Sequence, residues 1–74
     1  MTRVSDQRDR YATVECQYLE RTAKAVRLEK DGDPQWFPWS LLSYAAEETL
    51  EGEPPGSVVE LEIRAWKLKE LGWK

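Results

Sequence analysis

The chain has 74 residues, a net charge of −3, no histidine and a single cysteine, Cys16. That length holds one domain, and a domain so small buries only about 60% of the surface its unfolded chain exposes. One cysteine excludes an intramolecular disulfide, the lack of histidine excludes a zinc tetrad, and an acidic balance without a polybasic run argues against general duplex binding.

Residues 1–10 are polar and aperiodic, with Val4 the one apolar residue after Met1, and read as a disordered lead-in to a single domain over 11–74. From Tyr11 to Glu20 the chain alternates: Ala12, Val14, Cys16 and Tyr18 fall on one side, Thr13, Glu15 and Gln17 on the other. This period of two predicts a half-buried strand. Thr22 to Lys30 predicts a second strand, with Val26 and Leu28 on one face, and the short polar link Glu20-Arg21-Thr22 predicts an antiparallel hairpin. Asp31-Gly32 is the strongest turn signal, because both residue types accept positive φ. A third strand follows over Gln35 to Trp39, with Pro38 marking an edge or an end.

Ser40 to Gly52 admits two readings. One is a short helix capped by Ser43, running through Leu50 and ended by Gly52; the other is an irregular loop. Glu53-Pro54-Pro55-Gly56 breaks either one. Ser57 to Ala65 is the clearest strand, with Val59, Leu61, Ile63 and Ala65 on one face. Trp66 to Leu71 predicts a helical turn or two, with Gly72 at its C-terminal stop. The fold class expected is α+β and mostly β: a small curved antiparallel sheet or partly open barrel of four or five short strands, closed by a short C-terminal helix.

Trp36, Trp39, Trp66 and Trp73 supply bulk where disulfides and metals are missing. Alternation sends Trp36 and Pro38 to one face and Phe37 and Trp39 to the other, without saying which face is buried. The charge is also uneven. Between Glu29 and Glu62 the only base is Lys30, whereas Arg64, Lys67, Lys69 and Lys74 face only Glu70 after that point.

From Thr22 onward the chain resembles a loose family of short, mostly uncharacterised phage and prophage proteins. Thr22-Ala23-Lys24-Ala25-Val26 is similar to a T-x-K-A-hydrophobic opening. Trp36-Phe37-Pro38-Trp39-Ser40 is similar to a W-[IF]-P-x-S signature, and Ile63, Trp66 and Gly72 to a closing I-x-x-W-x(5)-G helix. Trp39 stands where that family usually carries a basic residue and Leu41 where it usually has a polar one, and Tyr44 to Gly52 has no counterpart. The resemblance covers about two-thirds of the chain. It implies mobile-element origin and a compact β fold, and no catalysis; by analogy with small phage proteins it points to inhibitors of host defence, anti-CRISPR proteins among them.

No enzyme, cofactor or metal site is expected. Without histidine there is no Ser-His or Cys-His relay, and Cys16 lies on an apolar strand face where a thiol is inert. The carboxylate pairs Glu47 with Glu48 and Asp31 with Asp33 fall in solvated turns or helix faces, which do not raise one pKa of a pair. The expected function is a non-enzymatic protein-binding module docking on a host protein or ribonucleoprotein complex. Its contact set is an apolar anchor of Trp39, Leu41, Leu42 and Tyr44 flanked by Glu47, Glu48, Glu51 and Glu53. Two other readings stand beside it: a single-stranded nucleic-acid binder using Arg64, Trp66, Lys67, Lys69, Trp73 and Lys74, and a homo-oligomeric structural accessory protein, for instance a homodimer, whose aromatic patch is its own interface. With no stretch long and apolar enough to span a bilayer and no leader-like segment, a cytoplasmic protein without membrane contact is expected.

Overall fold

Strand β1, Tyr11–Arg21, is the spine of the structure. Its alternation buries Val14, Cys16 and Tyr18 and leaves Thr13 and Glu15 exposed. The computed structural model describes residues 10–73; the expected lead-in therefore lies, apart from Arg10, outside the described residues. Arg10 is tied to the domain, because its carbonyl accepts a hydrogen bond from the Ala65 amide at 2.9 Å.

Strands β2 (Ala25–Lys30), β3 (Asp33–Pro38) and β4 (Val58–Arg64) complete an open four-stranded sheet in the order β3-β2-β1-β4, with every pairing antiparallel. β2 begins three residues later than the sequence predicts. The Thr22 hydroxyl accepts from the amides of Lys24 and Ala25 at 3.2 and 3.1 Å, so Thr22 closes the turn instead of extending a strand. Asp31 and Gly32 both take positive φ, 54° and 80°, as the two-residue hairpin turn between β2 and β3 requires. Pro34 and Pro38 are tolerated in β3 because it is an edge strand.

After β3 a single turn of 3-10 helix, Trp39–Leu41, carries the chain across the end of the sheet. The Trp39 amide donates to the Lys24 carbonyl at 3.3 Å at one edge, and Leu42 bridges Ile63 of β4 at the other. Helix α1, Tyr44–Glu51, follows at once. Ser43 caps it, its hydroxyl accepting from the Ala46 amide at 3.1 Å, so this segment is helix rather than loop.

Helix α2, Ala65–Leu71, leaves β4 without a loop. It ends at Gly72, whose φ of 76° permits a Schellman closure: Gly72 donates to Lys69 and Trp73 to Leu68. That closure turns Trp73 back under the sheet. Its ring lies 5.2 Å from Phe37 of β3, centre to centre, and its indole N–H donates to the Asp33 carboxylate at 3.1 Å. α2 thus starts at one edge of the sheet and is latched to the other.

Both helices deliver their apolar residues, Ala46, Leu50 and Leu68, to the same side of the sheet, where they meet Val14, Cys16, Tyr18, Val26, Leu28, Phe37, Val59, Leu61 and Ile63. The opposite face of the sheet has no layer over it among the described residues. No helix of the described residues is long and apolar enough to cross a membrane.

Candidate protein-binding site

The register of β1 against β2 shifts between Tyr18 and Glu20, which leaves Leu19 as an extra, unpaired residue. One inserted residue reverses the parity of the strand. Tyr18 faces the core before the bulge; after it Arg21 pairs with Val26 and shares that inner side. The Arg21 guanidinium therefore lies over two inner-side aromatics, 6.0 Å from the Tyr18 ring and 5.9 Å from the Trp39 ring.

Trp39 is half-buried and packs against the core. Its indole N–H donates to the Thr22 carbonyl at 3.0 Å, which fixes the ring against the β1–β2 turn. α1 then brings up Glu47 and Glu51. They lie four residues apart and so share one helix face, and α1 has no basic residue in its last turn. Together Arg21, Thr22, Ala23, Trp39, Glu47 and Glu51 line an open cleft of about 400 Å³. Glu47 lies in the first turn of α1, where the helix dipole favours a negative charge; Glu51 lies in the last, where the dipole opposes one. The two like charges also repel at this spacing. A cation entering the cleft relieves both.

The structure divides the expected contact set. Trp39, Glu47 and Glu51 converge in the cleft. Tyr44, Glu48 and Glu53 are exposed but do not line it. Leu41 is half-buried against the core, and Leu42 is a core residue at 4% exposure, so neither forms a surface anchor. This is a correction with a simple cause: the 3-10 turn crosses the sheet end and points Leu42 inward beside Ile63. Trp39 is likewise a tethered wall rather than a projecting anchor.

The fold withdraws part of the alternative basic set. Trp73 is buried at 6% exposure and cannot stack on a base, a second correction that follows from the Schellman closure. Lys67 pairs with Glu70 at 3.3 Å, and Arg64 stands 4.5 Å over the Tyr11 ring. Trp66 is exposed at 47%, Lys69 is exposed, and Lys74 lies outside the described residues. Cys16 is buried, and that burial pushes its thiol up to about 11; Lys30 opposes the shift and Glu15 adds to it.

Comparison with protein-family models, curated proteins and solved structures returned no match. The geometry adds residues the sequence did not offer. Arg21, Thr22 and Ala23 join the cleft through the bulge, for which the alternating pattern carries no signal. Trp36, at 45% exposure, points away from the core, and a signal for it did exist: once Phe37 is assigned to the core, parity sends Trp36 outward.

Proposed function

We propose that the chain is a non-enzymatic, cytoplasmic protein-binding module whose cleft docks on a basic protein surface. The observation that carries this reading is the convergence of Trp39, Glu47 and Glu51 from separate elements beside Arg21. An indole wall next to two carboxylates suits a lysine or arginine side chain: the carboxylates supply charge-assisted hydrogen bonds and the ring supplies apolar and cation–π contact. Arg21 already occupies part of that ring, so an incoming cation is met by the carboxylates first. A module of mobile-element origin with this chemistry acts by occupancy, covering a basic surface that otherwise holds nucleic acid in a host defence complex. Its buried Trp73 and paired Lys67 make the single-strand binder the weaker reading.

The test is differential capture. Wild-type chain and a Glu47→Lys/Glu51→Lys variant are immobilised and offered host lysate, and bound proteins are identified by mass spectrometry. A basic protein retained by the wild type and lost by the variant, with both chains showing the same melting curve, supports the reading. Identical capture by both chains, or salt-sensitive binding of single-stranded oligonucleotide by the wild type, overturns it.

A further inference from the structure

The uncovered face of the sheet carries a pattern of its own. The register places its side chains in rows. Trp36, Arg27 and Glu20 form one row across β3, β2 and β1. Pro34, Glu29, Gln17 and Val58 form the next across all four strands. Beyond these come Glu15 opposite Glu60, then Thr13 opposite Glu62. Along the β3 edge Pro34, Trp36 and Pro38 are all exposed, a rigid apolar rim whose tryptophan is 45% exposed. Toward β4 the face turns acidic. It holds the carboxylates of Glu15, Glu20, Glu29, Glu60 and Glu62 against the guanidiniums of Arg27, which is paired with Glu20 at 3.1 Å, and Arg64, which lies over Tyr11, with the Lys30 ammonium at the margin, donating to the Glu15 carbonyl at 3.5 Å.

A solvated face is the ordinary fate of one side of an antiparallel sheet. Two features separate this face from an ordinary one. A half-exposed tryptophan between two prolines is the residue type that anchors interfaces, held on a backbone that loses little entropy on binding. Glu15 and Glu60 are directly opposite on neighbouring strands, an arrangement of like charges that destabilises the free chain and that an opposite charge relieves. The same carboxylates decide the occupant. A second copy packed face to face would offer these carboxylates only the same net-acidic face, and a nucleic acid would bring phosphates to them.

We propose that the open sheet face is a second docking surface, distinct from the cleft, for a Lys/Arg-rich segment of a partner protein that carries an apolar anchor residue. The anchor seats on the Pro34–Trp36–Pro38 rim. The basic residues lie over Glu15, Glu60 and Glu62, beginning roughly 17 Å from the anchor, the distance set by two strand spacings across and two residue pairs along the sheet. The chain then binds on both sides, through the cleft at the helix side and through the rim and acidic field at the bare side.

The probe is a synthetic tryptophan-free peptide with a leucine pair at one end and four lysines at the other, compared with a same-composition scramble and a glutamate-for-lysine version. Binding to isotope-labelled protein is followed by NMR shift mapping and by tryptophan fluorescence. Expected are saturable binding of the lysine peptide, shifts of the Trp36 indole and the Glu15, Glu29, Glu60 and Glu62 amides, and no binding of the glutamate version. The titrations are run in the Glu47→Lys/Glu51→Lys background, which removes lysine binding at the cleft, and there affinity falls at least tenfold in Trp36→Ala and separately in Glu15→Lys/Glu60→Lys, so the cleft and the face fail independently. All the altered side chains on this face are solvent-exposed, and an unchanged melting curve checks folding. The proposal is overturned by absent binding, by equal binding of the scramble, by shifts centred on the cleft, or by affinity that ignores both face variants. A wild-type dimer in sedimentation that Trp36→Ala dissociates overturns it in favour of a second copy.

Discussion

The Arg21 guanidinium lies 5.9 Å from the centre of the Trp39 ring, and that contact exists because Leu19 is unpaired in β1. Without the bulge Arg21 would fall on the outer face with Glu15 and Gln17. Its inward turn gives the cleft a cation as well as two carboxylates, and an indole whose N–H is already satisfied by the Thr22 carbonyl. Arg21→Ala is expected to change capture of a basic partner while costing stability only about 0.5–1 kcal/mol, the range for an exposed cation–π contact. Urea titration checks the second half; a loss of several kcal/mol would make the guanidinium part of the scaffold.

Trp73 has the opposite character. It closes the core against Phe37 and ties α2 to Asp33, so Trp73→Ala is expected to cost about 3–5 kcal/mol, much of the stability of so small a domain. Trp73→Phe keeps a ring in place and loses the indole hydrogen bond to a carboxylate, at about 1.5–3 kcal/mol. Chemical denaturation of both variants reads the gap between them, which closes if the hydrogen bond rather than the packing holds α2, because both substitutions remove the indole N–H.

Leu42 and Tyr44 are two residues apart and separate folding from surface. Leu42 is in the core and Tyr44 is 75% exposed. Leu42→Ala is expected to cost about 2–5 kcal/mol and Tyr44→Ala to stay within about 0.5 kcal/mol. Thermal melts of the pair test the corrected placement of the expected anchor.

Cys16 gives a pH signature. Its folded thiol titrates at about 11 against an ordinary 9.0, because burial disfavours the thiolate. At pH 8 its reaction with a thiol reagent is expected to run about a hundredfold or more slower in the folded chain than in urea. A folded pKa above the unfolded one means that the native state holds the proton longer. Stability is therefore lost as the pH rises from about 9 through 11, by up to about 3 kcal/mol. The difference between wild type and Cys16→Ala across that range isolates the thiol from lysine and tyrosine titration. A difference that does not vary with pH would refute the shift.

Local physics made most of the fold legible in the sequence. Alternation named the buried sides of β1 and β4, positive φ at Asp31-Gly32 made the hairpin, Ser43 offered the cap for one of the two readings of its segment, Gly72 ended the last helix, and the mixed α+β class followed. Each of these signals is carried by residues within a few positions of one another. The site depended on relations that no short window contains. The Leu19 bulge reversed the parity of β1, the path of the 3-10 turn sent Leu42 inward, and the latch of Trp73 onto Phe37 and Asp33 joined opposite sheet edges. Which of two strand faces is buried is a property of the layer packed against it, and here both helices chose the face of Phe37, leaving Trp36 to the solvent.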